Sequence, residues 1–165
     1  MSKPATPFVI QIVGYSGSGK TTLLTGVARL LTKRGWKVGT VKHHPKEWEW
    51  DQPGKDTWKH RQVSTGPVAI VSRDRTVIEW PYSASPEDLL PFYQGADLVL
   101  VEGFKRAHHH KLVMVHQEED RELLNLPHII ALVSSDPQQW CQWGRCLHWD
   151  DVESVVEMIT EAVCK

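Results

Sequence analysis

One stretch near the start of the chain decides the fold: Phe8-Val9-Ile10-Gln11-Ile12-Val13-Gly14-Tyr15-Ser16-Gly17-Ser18-Gly19-Lys20-Thr21-Thr22-Leu23. Its first six residues are nearly all apolar, as in a strand that is buried on both faces. Residues 14–21 fit the pattern G-x-x-x-x-G-K-[ST] at every position. Apolar residues then recur at helical spacing, at Leu23, Leu24, Val27, Leu30 and Leu31. A buried strand, a glycine-rich turn and an amphipathic helix in this order predict a phosphate-binding loop.

The residue types of this loop suit a nucleotide. Glycines let successive backbone N–H groups point inward at an anion, and the following helix directs its positive dipole end at the same phosphates. We expect Lys20 to reach the β- and γ-phosphates and the Thr21 hydroxyl to ligate Mg²⁺. The alternative is a strand-to-helix turn that binds nothing. The predicted nucleotide-binding residues of the loop are Gly14, Tyr15, Ser16, Gly17, Ser18, Gly19, Lys20, Thr21 and Thr22.

A second apolar strand, Leu98 to Val101, ends at Glu102. In open α/β sheets, ligands bind beyond the carboxyl ends of the strands, so a carboxylate at that end faces the phosphate loop. We therefore expect Glu102 to ligate Mg²⁺ directly or through water, and we take Lys20 and Glu102 as the candidate catalytic residues. The alternative for Glu102 is a solvated acid at a strand end.

The remaining pattern favours an α/β fold with a mainly parallel sheet flanked by helices, formed as a single domain over residues 1–165. Further strands are expected at 37–41, 111–116 and 129–133, a short helix at 54–62 and a closing amphipathic helix from 152 to 163. Residues 68–71 and 76–79 flank a short polar turn, which indicates a β-hairpin within the segment 66–80.

Composition excludes several classes of protein. The 165 residues carry 41% hydrophobic and 24% charged side chains and a formal net charge of −1. This balance is that of a globular chain, with no basic excess to drive non-specific nucleic-acid binding. The apolar run at 8–13 is too short to span a membrane. Three cysteines without a paired spacing favour free thiols in the cytoplasm.

Several polar segments remain open to more than one interpretation. Asp56, just beyond Gly54, is predicted to contact the metal through water in a segment that senses the γ-phosphate. His43 or His44 is a candidate for phosphate or substrate contact. The tract 108–110, of three histidines, is interpreted as a solvated loop near the active face, with anion contact by Lys105 or Arg106 as the alternative. Aromatic residues in the same region either meet a partner or anchor a subdomain; they are Trp48, Trp50 and Trp58.

Four segments together resemble the molybdopterin-guanine dinucleotide biosynthesis protein B (MobB) family, over residues 8–133. They are the phosphate loop 14–23, Val41-Lys42-His43-His44, the segment 51–61 with Pro53-Gly54-Lys55-Asp56, and the strand end Val101-Glu102-Gly103-Phe104-Lys105. The resemblance implies a P-loop protein that binds GTP and Mg²⁺, hydrolyses GTP weakly, and acts beside the molybdenum cofactor guanylyltransferase. It also implies a homodimer, with the hairpin at 66–80 in the dimer sheet. Thr57 stands where the family usually has serine, and Pro45 where it often has histidine.

The base-reading residue is less apparent, because the guanine-reading motif N-K-x-D does not occur. Asp136, beyond the strand at 129–133, is the best-placed acid to accept hydrogen bonds from the guanine N1 and N2 groups. Acids in such Ser-Ser-Asp-Pro turns also serve as helix caps. The competing functions are a small-molecule P-loop kinase, which usually carries an arginine-rich lid, and a regulatory GTPase switch. The arginines of this chain are scattered, which disfavours a lid.

Overall fold

A computed structural model describes residues 6–47, 49 and 51–163. The chain falls into two compact units, one formed by Met1–His43 with Pro86–Lys165 and the other by His44–Ser85. The first unit contains the phosphate loop and the strand that ends at Glu102. The predicted metal contact Asp56 belongs to the second.

The first unit is built on a six-stranded sheet in the order β2-β5-β1-β6-β7-β8, in which every neighbouring pair is parallel. The carboxyl ends of all six strands therefore meet at one edge. The strands are β1 (Phe8–Val13), β2 (Val38–Lys42), β5 (Leu98–Glu102), β6 (His110–Met114), β7 (Ile129–Ser134) and β8 (Cys146–His148).

Both faces of this sheet are covered. On one face, α1 (Lys20–Lys33) and α5 (Val152–Val163) pack on the alternate residues of β1, such as Ile10 and Ile12, in the largest apolar cluster. The other face carries Val13 and Trp140 in a second cluster. Burial on both faces explains the nearly continuous apolar composition of β1 and β5. The shorter helices of this unit are α3 (Pro86–Leu89) and α4 (Pro137–Trp140), with 3-10 turns at Leu90–Tyr93, Glu118–Asn125 and Cys141–Trp143.

The second unit consists of α2 (Asp56–Val63) and a two-stranded antiparallel sheet of β3 (Val68–Val71) and β4 (Thr76–Glu79). Arg61 on α2 connects its parts, since its guanidinium group donates to Glu79 at the end of β4 and to Glu49. Apolar side chains of both strands are exposed, including Val71 and Ile78.

The α/β class, the parallel sheet and the hairpin are confirmed. The hairpin strands have the predicted bounds, and the closing helix spans the predicted residues. The strand predicted at 111–116 begins one residue earlier and ends at Met114, and β8 was not predicted. Among the described residues, we find no helix with both the length and the apolar composition needed to cross a membrane.

Candidate nucleotide-binding site

The phosphate loop connects β1 to α1, which begins at Lys20. Gly17 and Gly19 have φ angles of 79° and 83°, a left-handed conformation that side-chain-bearing residues seldom adopt. Gly14 is required for a different reason: a Cβ atom there would lie 2.6 Å from Ser18 Oγ and 2.9 Å from Met114 Cβ. The three glycines therefore allow the tight curvature of the loop.

Lys20 reaches back across the loop. Its ammonium group donates a hydrogen bond of 2.6 Å to the Tyr15 carbonyl oxygen. Partial burial lowers the pKa of Lys20, the charge of Glu102 opposes that shift, and the nearby Lys105 and Lys42 lower it further. A lysine with two other ammonium groups nearby and one carboxylate in range belongs to a site with excess positive charge, which is suited to an anion.

Thr21 and Glu102 meet at the carboxyl edge of the sheet. The Thr21 hydroxyl donates a hydrogen bond of 2.7 Å to Glu102 Oε2. The Glu102 side chain is only 10% exposed. Since the hydroxyl proton points at the carboxylate, the lone pairs of Thr21 Oγ1 are directed elsewhere and are available to a cation. Glu102 thus lies where the sequence predicted it.

Two further lysines border the loop. Lys42, the last residue of β2, places its Nζ 3.4 Å from Glu102 Oε1 and 3.5 Å from Thr21 Oγ1. Lys105 places its Nζ 3.8 Å from the centre of the Tyr15 ring. Partial burial lowers the pKa of Lys105, and the charge of Asp120 opposes this shift. The sequence-based alternative that Lys105 contacts an anion fits its position beside the loop.

An unusual turn after β5 positions Lys105. Gly103 and Phe104 both have positive φ angles, 95° and 51°. The buried Gln11 of β1 holds this turn, because its Nε2 donates to the carbonyl oxygens of Gly103, at 3.0 Å, and Phe104, at 2.7 Å. The His43 ring packs against the Phe104 ring with the centroids 4.3 Å apart. The His43 side chain therefore packs against the turn.

His116, just after β6, connects the phosphate loop to the loop after β7. Its Nδ1 accepts from the Ser135 backbone N–H at 3.3 Å, so the proton of the neutral ring is on Nε2, which donates to the Ser18 carbonyl oxygen at 3.1 Å. Asp136 follows in the same loop and precedes α4 as its N-cap residue, without a capping hydrogen bond from its side chain. The Asp136 carboxylate therefore does not cap α4, which was the alternative to guanine recognition.

The residues present fit a phosphate ligand with a magnesium ion. Ser18 Oγ is buried inside the loop without a hydrogen-bond partner, a costly arrangement unless a ligand satisfies the group. Thr21 Oγ1 and Glu102 Oε2 are 2.7 Å apart, close to the separation of about 3 Å between adjacent ligand oxygens of an octahedron with bonds near 2.1 Å. Mg²⁺ in proteins usually takes one or two such groups and the phosphate oxygens of its substrate.

Other predicted residues belong to the second unit or fall outside the described residues. Asp56 is the first residue of α2, in the unit of His44–Ser85, where its carboxylate pairs with Lys59 at 3.1 Å. Trp58 is part of the same helix, while Trp48 and Trp50 lie outside the described residues.

The expectation that the histidine tract 108–110 lies near the active face is wrong. It leads into the amino end of β6, whereas the phosphate loop follows the carboxyl end of β1. The His110 ring stacks on Phe8 at 5.5 Å, and His109 pairs with Glu87 at 2.8 Å. In the part of the chain that the structure describes, no three histidine, cysteine or acidic side chains are arranged to hold a metal.

Gln11, Lys42 and His116 were missed as site residues or given no role. Gln11 is the one polar residue within β1, and a polar side chain in an otherwise apolar buried strand is a usable signal. Lys42 and His116 follow the general rule that residues at the carboxyl ends of parallel strands face the ligand. Their partners could not be found from sequence, because the hydrogen bond from His116 to Ser18 joins residues 98 positions apart.

Known proteins resemble this chain in sequence and in fold. The profile of the family described as "Molybdopterin guanine dinucleotide synthesis protein B" (MobB) matches residues 9–135. The chain is 33% identical over 132 residues to the molybdopterin-guanine dinucleotide biosynthesis adapter protein of Haemophilus influenzae, covering 78% of this chain and 74% of that one. It is 29% identical over 162 residues to the adapter protein of Escherichia coli, covering 93% and 91%. The crystal structure of Bacillus subtilis MobB superposes with a TM-score of 0.76 at 26% identity, covering 93% and 96%. The chain therefore belongs to the molybdopterin guanine dinucleotide synthesis protein B family and has its P-loop fold.

Proposed function

We propose that this protein is a GTP-binding accessory protein of molybdopterin guanine dinucleotide biosynthesis, which binds GTP with Mg²⁺ and hydrolyses it weakly. The family membership and the adapter names of its relatives support the pathway. The nucleotide and the metal are supported by the site itself. The same proposal puts the protein in the cytoplasm, where the pathway's guanylyltransferase would use the nucleotide.

The observation that carries the proposal is the meeting of Thr21 with Glu102 beside Lys20. A phosphate loop alone accounts for an anion, but a hydroxyl oriented by a buried carboxylate at 2.7 Å is what a magnesium-dependent site needs. Partial burial lowers the pKa of Lys20, and the charge of Glu102 opposes that shift, so the Lys20 ammonium group interacts electrostatically with the same carboxylate. Glu102 therefore links the other two side chains, since it accepts from Thr21 and interacts electrostatically with Lys20.

In this proposal the residues 14–22 hold the phosphates through their backbone N–H groups and the Lys20 ammonium group. The Ser18 hydroxyl, buried and without a partner, gains one from the nucleotide. Thr21 ligates Mg²⁺ and Glu102 acts beside it; the metal, when bound, neutralises charge that develops on the phosphate oxygens. Asp136 is the proposed guanine-reading acid, because its loop is connected to the phosphate loop through His116.

Slow hydrolysis follows from the charged groups around the loop. Fast GTPases position an attacking water with glutamine and stabilise the transition state with an arginine finger. The cations found here beside Lys20 are Lys42 and Lys105, and a lysine offers a point charge in place of the bidentate fork of arginine. We therefore expect hydrolysis well below the rate of roughly 1–100 s⁻¹ that kinases reach.

The partner side of the proposal rests on the resemblance of the chain to its family. We propose that the protein acts beside the guanylyltransferase that joins GMP to molybdopterin, and that it does so as a homodimer. The hairpin of β3 and β4 presents exposed apolar residues such as Val71 and Ile78, which is consistent with a role in the dimer sheet. Asp56 stays a proposed metal-side residue.

One experiment tests the nucleotide and the partner together. Calorimetric titration with GTP, GDP and ATP, each with and without Mg²⁺, should give tighter binding of the guanine nucleotides and a gain with the metal. Co-purification with the guanylyltransferase on the same preparation tests the partner. Preference for ATP, together with phosphate transfer to a small acceptor, would favour the kinase instead, and no nucleotide binding would refute the proposal.

A further inference from the structure

Lys42, the last residue of β2, brings a positive charge close to the two side chains that are proposed to bind magnesium. Lys42 Nζ lies 3.4 Å from Glu102 Oε1 and 3.5 Å from Thr21 Oγ1. These are the two side chains that the proposed function assigns to the magnesium ion. No other lysine contact with either oxygen is found among the described residues.

The hydrogen-bond directions make this contact informative. Thr21 uses its only proton to donate to Glu102 Oε2, and an ammonium group has no acceptor. The Lys42 ammonium group can therefore approach Thr21 Oγ1 only on the lone-pair side of that oxygen. A magnesium ion bound by Thr21 would use a lone pair on that same side, where its charge and that of the ammonium group repel each other.

The positive charge of Lys42 helps to compensate the buried negative charge of Glu102. Glu102 is nearly buried, with 10% of its side chain exposed, and burying its charge is costly without nearby cations, of which Lys42 is in direct contact and Lys20 is also within electrostatic range. Lys42 has a side chain that is 60% exposed, so it can leave the carboxylate for water at little cost. Backbone pairing sets the two residues side by side, because Lys42 is the register partner of Glu102 in the parallel pair β2–β5.

We propose that Lys42 is an internal substitute for the divalent cation: its ammonium group helps to neutralise Glu102, the carboxylate that orients Thr21, and competes electrostatically with Mg²⁺ at these two side chains. This inference rests on the proposed function and adds a regulatory element to it. Because both cations favour the Glu102 carboxylate and repel each other, the Lys42 contact makes the site less sensitive to magnesium than its ligands alone would be.

The test is a Mg²⁺ titration of the protein saturated with GDP, followed by calorimetry. We expect Lys42→Gln to lower the Mg²⁺ concentration at half-saturation by about 2- to 5-fold, the range of a partly exposed ion pair. Lys42→Arg, which keeps the charge, should stay within about 2-fold of the unmodified protein. Lys33→Gln removes the same charge at the far end of α1 and should leave the midpoint unchanged.

A double-mutant cycle separates contact from a general field effect. In a Glu102→Gln background, where the carboxylate charge is already gone, Lys42→Gln should no longer shift the midpoint. An equal shift in both backgrounds, or no shift in Lys42→Gln relative to Lys33→Gln, would overturn the inference. Failure of the unmodified protein to bind GDP or GTP at all would instead overturn the proposed function, so the two failures are distinguishable.

Discussion

Thr21 and Glu102 stand 81 positions apart in the chain and share a hydrogen bond of 2.7 Å between the Thr21 hydroxyl and Glu102 Oε2. The bond joins the first turn of α1 to the end of β5, so it ties the phosphate loop to the central sheet. It also fixes which side of the Thr21 oxygen is open to a cation.

Replacing Glu102 with glutamine tests the metal side of the site. We expect Glu102→Gln to weaken Mg²⁺-dependent GTP binding by roughly 10-fold or more, because groups that orient a metal ligand are typically worth 10–100-fold. Metal-free binding should change less. The measurement is calorimetry with and without Mg²⁺, and equal losses under both conditions would contradict the metal role.

Replacing Lys20 with alanine tests the phosphate contact. Hydrogen bonds to charged groups contribute about 1.5–3 kcal/mol, so we expect Lys20→Ala to weaken GTP binding by roughly 10–100-fold. Circular dichroism should show the fold intact, since Lys20 is only partly buried and its partner is one carbonyl oxygen. Lys33→Ala, at the other end of α1, is the control, and unchanged affinity in Lys20→Ala would count against the site.

The space beside Gly14 is filled by its neighbours. A Cβ there would meet Ser18 Oγ at 2.6 Å and Met114 Cβ at 2.9 Å, so we expect Gly14→Ala to destabilise the protein by about 1–3 kcal/mol, as overpacking does. Urea unfolding measures this loss. At Gly66 a Cβ would meet nothing within 4 Å, so Gly66→Ala should lower the free energy of unfolding far less. Equal losses of stability in the two variants would contradict the crowding argument.

Gln11 supports the turn that carries Lys105. Gln11→Met keeps the length of the side chain but removes the donor to the carbonyl oxygens of Gly103 and Phe104. The Phe104 carbonyl oxygen keeps its bond from the Ala107 N–H, so the Gly103 carbonyl oxygen is the acceptor that loses this donor. Leaving a partly buried acceptor unpaired costs about 1 kcal/mol, the lower end of the range for buried groups, which urea unfolding should detect. The exposed Gln139→Met is the matched control. A loss of stability no larger than that of the control would show that the turn does not depend on Gln11.

The cysteines should differ in reactivity. Burial, assisted by the nearby Cys141 and Asp136, disfavours the thiolate and raises the pKa of Cys146 from 9.0 to about 11. Only the thiolate is alkylated, so at pH 8 Cys146 should react with iodoacetamide at least 10-fold more slowly than an ordinary exposed thiol, and faster as the pH rises toward 11. Mass spectrometry of the peptides, with exposed Cys141 as the internal reference, checks this; equal rates would contradict it.

The sequence predicted those elements whose signal is local. β1, the phosphate loop and α1 follow from adjacent residues, and the hairpin of β3 and β4 was located with its bounds because a polar turn separates two β-rich runs. β8 has only three residues, too few for a period to be recognised. Its position depends on pairing with β7, which is a tertiary event.

The candidate site shows the same division. Glu102 was predicted at the carboxyl edge of the sheet because ligands generally bind beyond the carboxyl ends of parallel strands. The tract 108–110 was misplaced because a run of histidines does not indicate whether it precedes or follows a strand, and here it leads into β6. The contacts of Lys42 and Gln11 cross between strands that are distant in the chain. No local pattern encodes them.

The Lys20–Tyr15 contact has a thermodynamic consequence. The Lys20 ammonium group donates to a carbonyl oxygen of its own loop at 2.6 Å. The loop is therefore already curved before any anion binds. The entropy of ordering is therefore lost once, during folding. In the proposed complex, Lys20 would exchange the carbonyl oxygen for a phosphate oxygen, and the triphosphate would not bear the entropic cost of ordering the loop.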